Sequence, residues 1–329
     1  MTKTPDYSTK HDSDFLFMIE QATKAPSGHN TQPWLFKTGD QSIEIHPDFE
    51  KSLKIVDPDH RELFISLGCA LENLCLAASA KGYNCEPSIS EEGIITVHLT
   101  KNHASKERPL FQQIPVRQTN RGKYNGQMID AETFEQLRNI ECFPGTNFHF
   151  YKNGESGFNT IKDFVVRGNI LQMQDKNFTD ELISWMRLNK KQSLSTRDGL
   201  SYAVFGAPSM PAFISRPIIR GALTPDKQNK GDIKKMQSSS HFVLFTTRSN
   251  SHQEWINLGR TLQQFLLQST QWGIAHAYMN QPCELKELTE EMKTSLEMDN
   301  EHPAILLRAG YAEKAPYSLR KRVEEVVMP

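Results

Sequence analysis

The sequence predicts an α+β protein built from two homologous halves, and a repeated helix is the main observation behind this prediction. Segments 64–82 and 255–273 align without gaps, and each has the apolar spacing of an amphipathic helix that ends in glycine. A strand candidate follows each helix, at 94–99 and at 304–308. The positions that coincide are Ile65 with Ile256, Leu67 with Leu258, Gly68 with Gly259, Leu71 with Leu262, Leu76 with Leu267, and Gly82 with Gly273.

These coincidences are more than two unrelated amphipathic helices usually share. Because the repeat is wide and occurs twice, it indicates a domain duplication rather than a solenoid. We therefore expect the two long helices to pack together, so that a single chain forms an intramolecular pseudo-dimer. Two generic helices that each end in glycine are the alternative.

The other patterns divide the chain into a polar tail at 1–13, an N-terminal half at 14–108 and a C-terminal half at 109–329. The N-terminal half begins with a short helix and continues into a β-hairpin. The charged stretch 101–108 is a plausible linker between the halves.

The C-terminal half contains a polar insertion at about 189–231, which is rich in glycine and proline and has few periodic signals. An insertion of this length is usually disordered or a lid. The apolar residues Phe205, Met210 and Phe213 favour a lid.

The composition of the chain limits its possible binding partners and its cellular location. With 38 basic and 39 acidic residues the net charge is −1, so no global field attracts nucleic acid or a membrane. No run approaches the ~18 apolar residues of a membrane span. The polar start of the chain predicts a cytoplasmic protein. The five cysteines and eleven histidines show no metal-binding spacing, so we expect buried thiols and no metal.

A short loop holds the densest group of polar side chains. It runs over residues 25–34 and contains Gly28 and two prolines, which fix an unusual backbone path. A structural loop needs one or two polar side chains to satisfy itself, so this density suggests contact with the polar edge of a ligand. The polar residues are Ser27, His29, Asn30, Thr31 and Gln32.

Two basic clusters stand out in a chain of nearly zero net charge: Arg117 with Arg121, and Arg320, Lys321 and Arg322. Each alone is typical of a solvated surface. Together with the polar loop they suggest one phosphate site, because the planar guanidinium forms paired, charge-assisted hydrogen bonds with phosphate.

The polar loop and the arginines fit the two ends of flavin mononucleotide (FMN). Ser27, Asn30 and Gln32 could meet the amide and carbonyl edge of its ring. No Walker loop or GxGxxG is present, so a nucleoside triphosphate or a Rossmann-bound dinucleotide is not expected. Ser27 lacks the G-x-S-x-G frame of a hydrolase nucleophile.

The loop APSGHNTQPW resembles the flavin-contacting segment of the nitroreductase superfamily, and the whole chain is most similar to the Acg-type branch, in which two nitroreductase-like halves are fused. The resemblance implies one FMN in the interface between the halves. The residues that it assigns to the cofactor site are Pro26, Ser27, His29, Asn30 and Gln32 in the loop, Arg117, Gln118, Thr119 and Arg121 in the second motif, Met279, Asn280 and Gln281 after the second long helix, and Arg320 and Arg322 near the C-terminus.

The implied activity is that of an FMN-dependent oxidoreductase, which uses NAD(P)H to reduce small electron-poor acceptors such as nitroaromatics or quinones by ping-pong hydride transfer. The flavin carries the chemistry, so no catalytic side chain is named. Two alternatives stay open: a protein that stores FMN beneath a closed lid, and a flavin-free protein whose loop is structural. The pseudo-dimer could act as a monomer or pair further into a homodimer.

Overall fold

The computed structural model describes residues 13–102, 104–298 and 300–329, so the predicted polar tail lies outside the described residues except for Ser13. The first half contains α1 (Ser13–Ala22), β1 (Trp34–Thr38), β2 (Ser42–Pro47), α2 (Arg61–Ala80), β3 (Tyr83–Ile89) and β4 (Ile95–Lys101). The second half contains α3 (Ala131–Arg138), β5 (Thr146–Lys152), α4 (Ser156–Gln174), α5 (Lys176–Ser184), β6 (Met186–Arg187), α6 (Lys190–Thr196), β7 (Leu200–Ser201), α7 (Ala212–Ala222), α8 (Pro225–Gln237), β8 (His241–Thr247), α9 (His252–Gln271), β9 (Ala275–Tyr278), α10 (Gln281–Glu284), α11 (Lys286–Ser295) and β10 (His302–Gly310).

Each half has its own four-stranded sheet, and the two sheets have the same strand order. The first is β1-β2-β4-β3 and the second is β5-β8-β10-β9. Neighbouring strands are antiparallel in both sheets. A 20-residue helix joins the second strand to the third in each case, α2 in the first half and α9 in the second. The predicted α+β fold of two fused halves is confirmed.

The two long helices cross at the pair of glycines that the sequence repeat aligned. A Cβ atom on Gly68 would lie 2.0 Å from the carbonyl oxygen of Ile256, and one on Gly259 would lie 2.0 Å from that of Ile65. Real Cβ atoms do not approach a backbone this closely, so only glycine lets the helices approach to this distance. The reciprocal contacts have the form of a two-fold axis.

Helix α2 lies at the centre of the molecule. Residues 63–78 are all buried, and the largest hydrophobic core includes side chains of both halves. By length and composition this helix could cross a membrane, since its most apolar 18-residue stretch has a mean hydropathy of 1.6. However, 89% of that stretch is buried inside the protein. The cytoplasmic location stays a prediction.

The second half differs from the first in a large insertion between β5 and β8, residues 153–240. The segment 189–231, for which few periodic signals were expected, contains α6, α7 and most of α8. These helices escaped the sequence reading because they bury few residues. Only Ser193 of α6, Ser215 of α7, and Asp232 and Met236 of α8 are buried, so no apolar stripe marks them.

Candidate functional site

A cavity of about 560 Å³ lies where the two halves meet, within the usual size range of small-molecule sites. The polar loop, the first turns of α2 and the C-terminal segment supply polar lining residues. The insertion supplies an apolar wall, which includes Met173, Phe178, Leu182, Met186, Leu188, Leu200 and Ile219.

The polar loop has a strained backbone. His29, Asn30 and Gln32 have φ angles of 48°, 58° and 56°, in the left-handed region that non-glycine residues rarely adopt. Such a conformation persists only where other contacts hold it. One of these contacts is the hydroxyl of Ser27, whose Oγ accepts a 2.9 Å hydrogen bond from the backbone N–H of Gln32.

Asn30 ties three segments together. Its Nδ2 donates to the carbonyl oxygens of Gly199, at 3.1 Å, and Leu319, at 3.2 Å. Its Oδ1 accepts from Nη1 of Arg320 at 2.8 Å. The side chain therefore orients a cavity arginine and fixes the insertion and the C-terminal segment to the loop.

Gln32, which does not line the cavity, also ties the loop to the insertion and to the C-terminal segment. Its Nε2 donates to the carbonyl oxygen of Arg197 at 2.9 Å, and its Oε1 accepts from the backbone N–H of Lys321 at 2.8 Å. Both the nitrogen and the oxygen of the Gln32 amide are thus bonded to the protein itself. Gln32 therefore positions the insertion and the C-terminal segment around the cavity.

Three arginines gather at the polar end of the cavity, and none of them has a carboxylate partner among the described residues. Arg117 is 5% exposed; its Nη2 donates to the carbonyl oxygen of Lys24, while its Nε and Nη1 have no partner. Burial, and then the charges of Arg117 and Arg121, lower the pKa of Arg320 to about 9. Nε of Arg320 is also unpaired. Buried, unpaired guanidinium groups require an anion, so this cluster fits a phosphate.

Two neutral histidines accompany the arginines. Burial, and then the charge of Arg121, lowers the pKa of His29 to about 4. Burial, and then the charge of Arg117, lowers the pKa of His276 to about 3. Nε2 of His29 and both ring nitrogens of His276 have no partner in the part of the chain that the structure describes. The rings thus add hydrogen-bonding capacity without further positive charge.

Two carboxyl groups also face the cavity. Glu62 accepts a hydrogen bond from Nδ2 of Asn280, and Glu284 accepts one from Nε2 of Gln172 at 2.5 Å. Burial raises the pKa of Glu284 to about 7. Burial, and then the charges of Glu284 and Asp57, raise the pKa of Glu62 well above its ordinary value. Both groups can therefore hold a proton near neutral pH.

The structure brings most of the predicted site residues to the cavity. Those that line it are Pro26, Ser27, His29, Asn30, Thr119, Arg121, Asn280, Gln281 and Arg320. Those that do not line it are Gln32, Arg117, Gln118, Met279 and Arg322. Whether any of them binds a cofactor stays a prediction.

The residues outside the lining have other surroundings. Oε1 of Gln118 accepts from the backbone N–H of Ala315, and Met279 packs in an apolar cluster behind the cavity. Arg322 is exposed, and its backbone N–H donates to Glu325. Gln32 and Arg117 are buried close behind the lining.

The resemblance placed Tyr278 in the segment near the flavin without assigning it to the site, and sequence reasoning missed the two carboxyl groups. Tyr278 lines the cavity, whereas its neighbours Ala277 and Met279 do not. Successive strand residues face opposite sides, so the alternation at the end of β9 could have selected Tyr278 over Ala277. Glu62 and Glu284 had no such signal, because they lie far apart in the chain.

No protein-family model matches the chain. Curated relatives do match it along most of its length. A Mycobacterium tuberculosis protein named "Putative NAD(P)H nitroreductase Rv3131" is 23% identical over 94% of this chain and 90% of its own length. Another, "Putative NAD(P)H nitroreductase acg", is 22% identical over 94% of this chain and 93% of its own length. The resemblance to the Acg-type nitroreductases is confirmed.

Solved structures of nitroreductases also align with part of the chain. The FMN- and NADPH-dependent nitroreductase NfnB from Sphingopyxis matches 67% of this chain and 98% of its own, with 13% identity and a TM-score of 0.44. The FMN-dependent nitroreductase NfnB from Mycobacterium smegmatis matches 66% and 91%, with 14% identity and a TM-score of 0.40.

Proposed function

We propose that the chain is an FMN-dependent NAD(P)H oxidoreductase of the nitroreductase type, which reduces small electron-poor acceptors such as nitroaromatics and quinones. The arginine cluster carries this proposal. Arg121 and Arg320 line one end of a cavity of about 560 Å³, Arg117 is buried close behind them, and none of the three has an acidic partner among the described residues. The names of the full-length relatives support the choice of NAD(P)H as electron donor.

The residues present fit FMN. The three arginines would hold its phosphate, since Nε and Nη1 of Arg117 and Nε of Arg320 are buried donors without a partner among the described residues. Nε2 of His29 and Oε1 of Gln281 are also unpaired and lie in cavity-lining residues, so they would meet the polar edge of the ring. When bound, FMN would supply the hydride and electron transfer.

The protein's own part is to bind, orient and exclude water. The apolar wall of the insertion removes water from the cavity, which strengthens the electrostatic effect of the arginines. The carboxyl oxygens of Glu62 and Glu284 hold protons beside the cavity, and reduced acceptors take up protons. Donor and acceptor would occupy the same space in turn, which gives ping-pong kinetics.

The alternative of a flavin-storing protein has no support from the relatives. Of the three apolar residues that favoured a lid, Phe205 and Met210 line the cavity, but Phe213 is 78% exposed and does not. Phe205 lies near the phosphate end, with its ring 5.8 Å from the guanidinium of Arg121.

The visible absorption spectrum of the purified protein tests the proposal, before and after anaerobic addition of NADPH or NADH. We expect a flavin spectrum that bleaches with one of the donors and recovers when a quinone is added. A flavin spectrum that persists with both donors would favour storage. A colourless protein that takes up no added FMN would contradict both functions.

A further inference from the structure

The charge of the chain is distributed unevenly. Residues 186–235 contain ten basic and three acidic residues, a net charge of +7 in a chain of net charge −1. Two of these acids are already paired, Asp198 with Arg187 at 2.7 Å and Asp232 with Lys235 at 2.9 Å. The exposed basic residues of this segment are Lys190, Lys191, Arg216, Arg220, Lys227, Lys230 and Lys234.

The same segment exposes large apolar side chains. Half of the exposed large hydrophobic residues of the described chain fall between positions 194 and 218. Three lie on α7, where Phe213 is 78% exposed, Ile218 56% and Ile214 41%. The other two are Leu194 on α6, 51% exposed, and Phe205, 49% exposed. Exposed apolar residues that cluster in this way mark an interaction surface.

Two of these five residues border the cavity. Phe205 and Ile218 both line it while remaining half exposed to the outside. The start of α6 is held near the start of α7, because the backbone N–H of Lys190 donates to Oγ of Ser209 at 3.0 Å. We call the surface formed by Leu194, Phe205, Phe213, Ile214, Ile218, Lys190, Lys191, Arg216 and Arg220 the basic apolar face.

We propose that the basic apolar face docks on the surface of an anionic lipid bilayer. A helix with apolar side chains on one side and cations beside them lies in the interface between headgroups and acyl chains. Phe213 and Ile214 would enter this interface, and Arg216 would meet the lipid phosphates. Arg220 would meet them as well, although its Nη2 also lies 3.6 Å from Oδ1 of Asp180. The net charge of the whole chain is nearly zero and therefore predicted no membrane partner. That total conceals the positive charge of this one segment.

A lipid surface fits this face better than a second copy of the chain. In a two-fold dimer the face would pair with itself and bring its like charges together, and the exposed hydrophobic residues elsewhere in the described chain are too scattered to match it. Phe49 and Ile55 share one loop, Val116 lies beside Tyr317, and Leu171 stands alone. A bilayer supplies both the anionic and the apolar partner at once.

Vesicle co-sedimentation of the full chain tests the proposal. The probes are vesicles of phosphatidylcholine alone and vesicles that also contain phosphatidylglycerol. We expect binding to the anionic vesicles at low salt and its loss at high salt, since surface charges are then screened. Removal of each cation should weaken binding about fivefold, so Arg216→Glu with Arg220→Glu should weaken it at least about 25-fold. Phe213→Ser should also reduce binding, since it removes the most exposed apolar side chain.

The matched control is Lys106→Glu with Lys152→Glu, which changes the net charge equally at exposed positions outside the face. Equal loss of binding in the control pair, or no binding of the unaltered chain to anionic vesicles, would overturn the proposal. Self-association in sedimentation equilibrium that Phe213→Ser abolishes would assign the face to a second copy instead. FMN uptake by all these variants should match that of the unaltered chain, so the result is independent of the proposed oxidoreductase function.

Discussion

The two halves share a strand order but differ in the connection between their first two strands. Residues 39–41 join β1 to β2 in a tight turn, whereas residues 153–240 separate β5 from β8. The repeated scaffold therefore brings the two halves together, and the insertion supplies the apolar cavity wall on one side only.

The long helices show the same contrast at equivalent positions. On α2, Glu62, Ser66 and Cys69 line the cavity. In the gapless alignment Ser66 and Cys69 correspond to Asn257 and Arg260 of α9, and the same register continued back to Glu62 gives Gln253.

On α9 the equivalent surface is covered. Nδ2 of Asn257 donates to the carbonyl oxygen of Pro144 at 3.0 Å, and the guanidinium of Arg260 lies 3.8 Å from the ring centre of Phe143. The segment before β5 thus packs where the polar loop before β1 leaves a cavity. The duplication creates two such helix surfaces, and the loop preceding each sheet decides which one stays open.

The largest expected effect tests whether the helices cross symmetrically. Gly68→Ala and Gly259→Ala should each destabilise the fold by about 3 kcal/mol or more, because each added methyl meets a backbone carbonyl. Chemical denaturation would measure both. Gly231→Ala on α8 is the control: it meets nothing within 4 Å and should stabilise by about 0.5 kcal/mol. A large effect at one crossing glycine alone would contradict the symmetric contact.

The next effect tests the polar end of the open site. Arg320→Ala should weaken FMN binding by about 1.5–3 kcal/mol, because a buried charge-assisted contact is lost. Arg322→Ala, two residues further on and exposed, should leave the affinity unchanged. Fluorescence titration with FMN measures both, and equal losses would remove the distinction between the two arginines.

A third prediction concerns the acidic residues of the open side. In the folded protein the pKa of Glu284 is raised from 4.5 to about 7. Its protonated form therefore contributes fully to the stability of the fold below about pH 4.5, and this contribution is lost as the pH rises through 7. Glu284→Gln should therefore gain about 1–3 kcal/mol over the unaltered chain at pH 8 and little at pH 4.5. Denaturation midpoints across this range give the difference. Glu290→Gln, at an exposed position on α11, should show no such change. An equal gain in that control would show that the burial of Glu284 is not the cause.

The smallest effects compare the starts of the two long helices. Both carboxylate oxygens of Asp57 accept backbone hydrogen bonds from α2, at 3.0 and 2.9 Å. Ser251 caps α9 with one longer bond to Glu254 N–H, at 3.3 Å. We expect Asp57→Ala to cost about 2 kcal/mol and Ser251→Ala about 0.5–1 kcal/mol in thermal unfolding. The reverse order would show that α2 depends less on its cap.

The sequence predicted the parts of the fold that repeat or follow a clear period. The spacing of Leu67, Leu71 and Leu74 identified α2, and the repeat predicted that α2 and α9 pack together, although not that they cross at the matching glycines. Strand β8 was missed because all its residues are buried, so it shows no alternation of polar and apolar residues. Helices α6 to α8 were missed because they bury too little to form a stripe.

The site was predictable where its residues share a segment. The polar loop and Arg320 were found because each belongs to a dense local motif. The pairing of Glu62 with Glu284 depends on how α2 meets α10, and no local pattern encodes that contact. The side chains of Asn30 and Gln32 hydrogen-bond to backbone groups of the insertion. These contacts also form only when the insertion folds beside the polar loop.

The union of both halves in one polypeptide has a genetic consequence. In a dimer of identical subunits, every codon change appears at both copies of the site, so an insertion such as 153–240 would have to be tolerated twice. Here β1 and β2 keep their tight turn while β5 and β8 carry the added helices. Mutation and selection can therefore act on the cavity wall through one half of the gene, while the other half conserves the shared helix crossing.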